Sequence, residues 1–450
     1  MIRHRHIVVA LIGLLVVACS QETLVEQASQ PAQAVEFSTY VSSPITRTGD
    51  EVNRHAIDET ELKKAACGFG VFAYYTDGVT FEEAGEGQIQ DFMYNQHITW
   101  DATLNNNTGG WTYSPKKYWP NEDGTQSEGT DYLSFFAYAP YDADISIGDE
   151  KDPYIEYQLA DNPADVYDLM WATAPVEDHN SGLPNLNMTR QQVNDQVKLH
   201  FKHALARLQL MVVADYGNLN VRPDLAGDPT ELEEADTLEV LKNTRITVES
   251  VTLTAKDAYK KARLNLNNTT AGRPKWTLVE GAENEADKSY TISGTTTVGG
   301  DEVSVIAPSI LDPGGSYADM FGASPVVTGV PRLIPGYETT PSQCATDLVN
   351  NAILERYYYF IPKERPQQSF EITVVYWTTV KDASLIKGDT PGYSRIKHTV
   401  SQTLKLNGRN GQPLFEGNKH FYIALVLGIE GAQFSVASVA WDGRETITTP

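Results

Sequence analysis

Period-two alternation of apolar residues, recurring in short runs along the chain, is the feature that most narrows what this sequence can fold into. It is seen at Val197, Leu199 and Phe201 and at Leu208, Leu210 and Val212. It returns at Val251 and Leu253, Leu264 and Leu266, and Val303 and Val305, then at Phe370, Ile372, Val374 and Tyr376, and at Phe421, Ile423, Leu425 and Leu427. Successive side chains of an extended strand point to opposite faces, so each run reads as a half-buried strand. Turn residues such as Gly299-Gly300 punctuate the runs. Only Asp58–Ala66 and Thr230–Lys242 read as amphipathic helices, and both are short and strongly charged. The expected fold class is mainly β, in antiparallel sandwiches, since no fixed period marks a solenoid or propeller. At 450 residues the chain exceeds one ordinary domain, and two tandem sandwiches fit. The polar stretch from Asn180 to Gln192 precedes a fresh strand at Gln196, which places the units at 48–190 and 191–450.

The first residues set the compartment. Arg3 and Arg5 precede an apolar run of 11 residues, Ile7 to Val17, which closes on Val16-Val17-Ala18-Cys19. A helix that spans a bilayer needs about 20 such residues. The pattern is that of a bacterial lipoprotein signal peptide, residues 1–18, cut before Cys19, which then carries the lipid. The bland alternative is an ordinary secretory signal with a chance cysteine. From Ser20 to Pro31 the chain is polar and lacks aromatics, as a tether behind a lipid anchor would, and order is expected from near Val35. Residues 19–47 are thus read as the anchored tether plus a first strand.

Charge and chemistry exclude more than they select. With 35 basic and 59 acidic residues the net charge is −24, which repels nucleic acid and anionic lipid. Beyond Cys19 the cysteines are Cys67 and Cys344, which an exported location would allow to pair but which read equally well as two buried thiols. No phosphate loop, dinucleotide fingerprint or paired-cysteine zinc motif is present, so no cofactor is expected. Gly314-Gly315-Ser316-Tyr317-Ala318 lacks the last glycine of a nucleophile elbow. His200 and His203, three apart on a strand, face opposite ways and do not make a metal site. The acidic run Glu231, Glu233, Glu234 and Asp236 lacks the spacing of a calcium loop and reads as a solvated face. No catalytic residue is assigned, which leaves a glycan-processing enzyme as a distant third reading.

Several segments, in this order, carry a resemblance. They are the Cys19 lipobox, Val35-Glu36-Phe37 running to Ile45-Thr46-Arg47-Thr48, the aromatic stretch Trp111 to Pro120, Leu133 to Tyr141, Asp168 to Thr173, Val197 to Leu205, and a closing pair, Tyr422 to Leu427 and Phe434 to Trp441. Together they resemble the fimbrillin family of Bacteroidetes, subunits of pili built from lipoprotein precursors. On the residues alone, Trp111, Tyr113, Tyr118 and Trp119 read as cover for a sheet face, with a sugar-stacking platform as the alternative.

The resemblance implies transthyretin-like sandwiches and a place at the outer membrane and cell surface, in a fimbrium. It implies that an Arg-specific protease cuts between Arg47 and Thr48, with Arg54 a competing site, and so frees a strand bearing Val35, Phe37, Thr39 and Val41. Losing a strand leaves rows of backbone N–H and C=O groups unpaired beside an apolar trough, which another subunit's strand fills. The implied donor is the C-terminal strand, with Phe434, Val436, Ser438 and Ala440 on one face; nine residues follow Trp441. Expected partners are therefore other pilus subunits, the protease, the outer membrane through the lipid, and a host or bacterial surface ligand. The alternative is a non-polymerising surface lipoprotein, a tip or anchor adhesin that binds glycan or protein.

Overall fold

A computed structural model describes residues 33–41, 57–120, 131–161, 165–175, 182–189, 196–215, 243–268, 273–293, 295–298, 301–304, 358–363, 368–387, 392–408, 414–428 and 431–440. The first nine strands are β1 (Phe37–Val41), β2 (Phe69–Asp77), β3 (Ile89–Asp101), β4 (Gly110–Thr112), β5 (Asp131–Ala139), β6 (Tyr154–Gln158), β7 (Met170–Thr173), β8 (Asn185–Met188) and β9 (Val197–His203). They continue as β10 (Ala206–Asp215), β11 (Thr244–Tyr259), β12 (Lys261–Asn265), β13 (Lys275–Leu278), β14 (Glu285–Ser293), β15 (Thr295–Val298), β16 (Asp301–Ser304) and β17 (Tyr358–Phe360). The last four are β18 (Ser369–Lys381), β19 (Tyr393–Lys405), β20 (Lys419–Gly428) and β21 (Ala432–Ala440). The protein is mainly β, as the alternation requires.

The alternating residues are the ones that point inward. Along β18, Phe370, Ile372, Val374 and Tyr376 are all buried, and along β20 so are Phe421, Ile423, Leu425 and Leu427. These rows face each other across a sandwich whose two sheets run β17-β10-β20-β21 and β14-β11-β18-β19. Val251 and Leu253 on β11, with Leu208 and Leu210 on β10, complete its core.

The first half is built differently from two open sheets packed face to face. Its strands form one sheet in the order β1-β9-β7-β5-β2-β3-β4, with β8 attached to β5. The two ends of that order come back together. Trp119 N–H donates to the Gln33 carbonyl at 3.0 Å and Val35 N–H to the Lys117 carbonyl at 2.9 Å, so the segment after β4 meets the segment before β1. The sheet is rolled around an interior of Phe37, Phe69, Trp111, Tyr113, Phe135 and Phe201.

A third layer joins the halves. β6, from before residue 190, pairs with β12, which pairs with β13. This small sheet lays Ile155, Leu264 and Trp276 over Phe72, Tyr138 and Trp171 on the outside of the roll. β9, which follows residue 190, lies in the first sheet, and the chain crosses to the second sandwich between His203 and Ala206. Pairing is not wholly antiparallel either: β1 with β9 and β10 with β20 are parallel. Both pairs are far apart in sequence, so no tight hairpin dictates their direction.

Other expectations are adjusted. The helix foreseen over Asp58–Ala66 contracts to α1 (Glu59–Leu62), capped by the Asp58 carboxylate, which accepts from Glu61 N–H at 2.7 Å. That foreseen over Thr230–Lys242, and the acidic run within it, lie outside the described residues. Cys67 is a buried free thiol, its pKa pushed up to about 12 by that burial, while Cys344 lies outside the described residues. Tyr118 does not join its aromatic neighbours: it is 47% exposed, whereas Trp111, Tyr113 and Trp119 are buried. Residues 118 and 119 point opposite ways along extended chain, and Trp119 takes the inward position.

The second core holds a buried polar contact with a pH consequence. On neighbouring β10 and β20, the Arg207 guanidinium lies 3.0 Å from Nδ1 of His420, and both residues are buried. A guanidinium can only donate, so His420 accepts at Nδ1 and is neutral. Burial first, and the Arg207 charge second, hold its pKa well below 6.5. The unfolded chain takes up that proton near its ordinary pKa of about 6.5, so below that pH the unfolded state binds more protons and folding stability falls as pH drops, by at most about 1.4 kcal/mol per pH unit. Melting temperature measured from about pH 7.5 to about pH 5 is expected to fall more steeply for the wild type than for His420→Gln. Equal slopes would assign the acid sensitivity elsewhere.

Candidate functional site: the berth of the first strand

β1 is short, yet it closes the roll. Its register sets Phe37 against Val197, Thr39 against Leu199 and Val41 against Phe201. Val35, Phe37 and Val41 are buried, while Tyr40 is 50% exposed. The alternation Val35-x-Phe37-x-Thr39-x-Val41 thus directs one face of a single strand into the interior. Burying a side chain such as Val or Phe stabilises by roughly 1.5–3 kcal/mol.

Phe37 carries the aromatic contacts that seat this segment. Its ring meets those of Phe69 at 6.1 Å, Tyr113 at 5.9 Å and Phe135 at 5.9 Å, all edge-on. Phe69 in turn packs on Trp111 at 4.9 Å and Phe201 at 5.3 Å. Edge-to-face aromatic pairs add about 0.5–1.5 kcal/mol beyond area burial. Without Phe37, the wall of Phe69, Trp111, Tyr113, Phe135 and Phe201 would face a vacant apolar trough.

Polar groups fix the strand's position along that trough. Tyr113 donates its hydroxyl to the Val35 carbonyl at 2.7 Å, and burial raises that phenol's pKa to about 12. The indole N–H of Trp111 donates to Thr39 Oγ1 at 3.0 Å, and Thr39 donates onward to Glu59 of α1 at 3.0 Å. On the other side Val197 N–H donates to the Glu36 carbonyl at 2.7 Å. Thr39 is the one polar residue on the inward face, and its hydroxyl is satisfied both ways.

The chain re-enters the described structure at Ile57 through a separate buried anchor. Asp168 accepts from Ile57 N–H at 3.2 Å and from His203 Nδ1 at 2.5 Å, and both side chains of that pair are fully buried. His203 is therefore structural, and His200 lies against the exposed Tyr40 ring at 4.8 Å. Among the described residues no group of three or more His, Cys, Asp and Glu is placed to hold a metal ion.

Of the residues singled out in the sequence, Val35, Phe37, Thr39 and Val41 come together in this berth. Phe434, Val436, Ser438 and Ala440 do not: they lie on β21, opposite Leu425, Ile423, Phe421 and Lys419 of β20, in the other sandwich. Val436 is buried there and Phe434 half-buried. Cys19, Arg47 and Thr48 lie outside the described residues. Sequence reasoning missed the hydrogen-bonding clamp of Trp111, Tyr113 and Glu59. Its only signal was that Trp and Tyr bring a polar tip into apolar surroundings.

Phe37→Ala is expected to lower the unfolding free energy of the intact chain by about 3–5 kcal/mol, from lost burial plus the cavity left behind. Tyr40→Ala, on the outward face of the same strand, should cost under about 1 kcal/mol. Urea denaturation compares the two, and similar costs would mean that the berth does not hold β1 through Phe37.

Comparison with known proteins follows the same lines. The chain is 24% identical over 225 residues to the fimbrium subunit Fim1C of Phocaeicola vulgatus, a stretch covering 47% of this chain and 50% of that one. The match thus spans about half the length of this curated relative. A crystal structure of a fimbrial protein from Bacteroides vulgatus superposes with a TM-score of 0.52 at 17% identity, covering 91% of this chain and 99% of that one, and so shares the fold. Residues 56–318, more than half of the chain, match the fimbrillin-like family, and the protein belongs to it.

Proposed function

We propose that this protein is a structural and adhesive pilus subunit, exported as a lipoprotein on Cys19, cut after Arg47 and joined to its neighbours by strand exchange. The observation that carries the reading is the seating of β1. One short strand, at the end of its sheet order, plugs an apolar trough and is followed at once by the segment that contains Arg47. Cleavage there severs β1 from the rest of the chain, which stays anchored at Ile57 through Asp168. A departing β1 would strip β9 of its parallel partner and uncover Phe69, Tyr113 and Phe135.

A free strand edge beside an apolar trough is a template for another strand: main-chain hydrogen bonds supply affinity, and alternate side chains filling pockets supply specificity. Donor and acceptor are different surfaces, so the contact is heterologous and propagates. In this reading the donor is β21, whose Phe434 and Val436 would take the seats of Phe37 and Val35 or, in the opposite direction, Phe37 and Thr39. Its partners are then other pilus subunits, an Arg-specific protease, the outer membrane before cleavage, and a surface ligand. The role is structural rather than catalytic, and of the two tandem units expected at 48–190 and 191–450 the first would extend through β9, which lies in its sheet.

A second reading has one observation in its favour. β21 already pairs along its whole length with β20 and buries Val436, so donation requires it to leave a completed sheet. A subunit that kept β21 at home would be a tip or anchor adhesin instead.

Treatment of the purified chain with an Arg-specific protease separates the two. A shaft subunit is expected to show a new N-terminus at Thr48 together with a ladder of detergent-resistant oligomers, and the triple substitution Phe434→Asp, Val436→Asp and Ala440→Asp should abolish the ladder. Cleavage that leaves a monomer, or resistance at Arg47, would overturn the shaft reading.

A further inference from the structure

The β18–β19 hairpin combines an excess of positive charge with exposed aliphatic side chains among the described residues. In a chain of net charge −24, the stretch Lys381 to Lys405 carries Lys381, Lys387, Arg395, Lys397 and Lys405 against Asp382 and Asp389. The four lysines are exposed, and Lys381 and Lys387 make no ion pair among the described residues. The large aliphatic side chains that stand out as exposed among the described residues are Ile386, at 78%, and Ile396, at 57%, and both belong to this hairpin.

The cause is geometric. Tyr376 on β18 donates to the Gly428 carbonyl at 3.0 Å, at the point where β20 of the facing sheet ends. Ile396, opposite the buried Thr378, is one inward position further toward the hairpin tip and stands on β19, the edge strand of its sheet. The described residues next to the tip are tied together: Asp382 N–H donates to the Gly392 carbonyl at 2.8 Å, Leu385 N–H to the Asp382 carbonyl at 3.1 Å, and Ser384 N–H to the Asp382 carboxylate at 2.9 Å. The described part of the hairpin is thus basic and exposes two isoleucines.

The same chain carries the opposite surface. Glu82, Glu83, Glu86, Asp91, Asp142, Asp144, Asp149 and Glu150 are all exposed. They are gathered in space: Lys151 donates to the Ala84 carbonyl at 2.5 Å, which ties the loops of Glu83 and Glu150 together, and Asn95 donates to the Asp142 carbonyl at 2.9 Å. Asp91, Glu150 and Asp149 all act on the Tyr74 phenol, which burial first and these charges next push above the ordinary tyrosine range. Among them Tyr94, 53% exposed, leans on Phe72 at 5.4 Å and offers an apolar platform.

We propose that the β18–β19 hairpin of one copy docks on the acidic face around Tyr94 of a second copy, with Lys381 and Lys387 meeting Asp91 and Glu150 and Ile386 resting on the tyrosine ring. The proposal rests on the reading of the chain as a subunit that meets its own copies, and adds to it a contact that needs neither cleavage nor strand exchange. Donor and acceptor surfaces again differ, so this contact adds along a row and does not close a dimer. Complementary charge of this kind sets encounter rate and register more than final affinity, and salt screens it.

The test uses the intact, uncleaved chain, in which β1 is at home, so its outcome is independent of whether strand exchange occurs. Sedimentation velocity is expected to show concentration-dependent association at about 30 mM salt that is lost at about 500 mM. Lys381→Glu with Lys387→Glu should weaken it by about tenfold or more, as should Asp91→Lys with Glu150→Lys. Mixing these two variants pairs each reversed surface with the other and should restore association between them. A wild type that stays monomeric at low salt, an association that either reversal leaves intact, or a mixture that fails to recover would overturn the proposal. So would retention on vesicles of anionic lipid without self-association, which would assign the hairpin to a membrane surface.

Discussion

The seat of Phe37 is the contact on which closure of the first sheet depends. Its ring touches Phe69 on β2, Phe135 on β5 and Tyr113 just after β4, so three separate parts of the rolled sheet converge on one residue of β1. A sheet that rolls must either close or leave an edge, and open edges bind other strands. Here closure is made by a segment of a few residues: β9 pairs with β1 on one side, and the 117–119 segment meets the residues just before it on the other. The bonds from Trp111 and Tyr113 then set where along the groove β1 sits.

Closure is concentrated in one short stretch. The remainder does not rely on β1 for its own continuity. β2, β3, β5, β7 and β9 stay hydrogen-bonded to one another, and the buried Asp168–His203 pair holds the chain at Ile57. On the outside of the roll, β6, β12 and β13 cover Phe72, Tyr138 and Trp171 and bind the first half to the second. Loss of β1 would therefore open a trough in a body that is otherwise braced, which is what the proposed acceptor role requires.

Much of this was legible in the residues. Phe370, Ile372, Val374 and Tyr376 alternate strictly and are all buried on β18, because a period of two on a strand leaves only one face for them to share. Val35, Phe37, Thr39 and Val41 show the same period and share the berth. The aromatic stretch was legible as packing, except at Tyr118, where parity puts the ring outside. What did not show was pairing. Nothing in Tyr154–Gln158 says that it pairs with Lys261–Asn265 across more than a hundred residues, and nothing in Phe37–Val41 says that it runs parallel to Val197–Phe201.

The sequence by itself determined the mainly β class, the inward face of alternating strands such as β18 and β20 and the membership of a family, since these follow from alternation and from local residue order. Tertiary structure alone decided that the first sheet rolls up, that β1 is its closing piece, that Trp111, Tyr113 and Glu59 clamp it, and that β21 is paired at home with β20. The reason is that strand pairing is a contact between distant segments whose backbone groups are identical for every sequence. A strand advertises which side it buries, but its partner and direction are chosen only when all the strands compete for the same core.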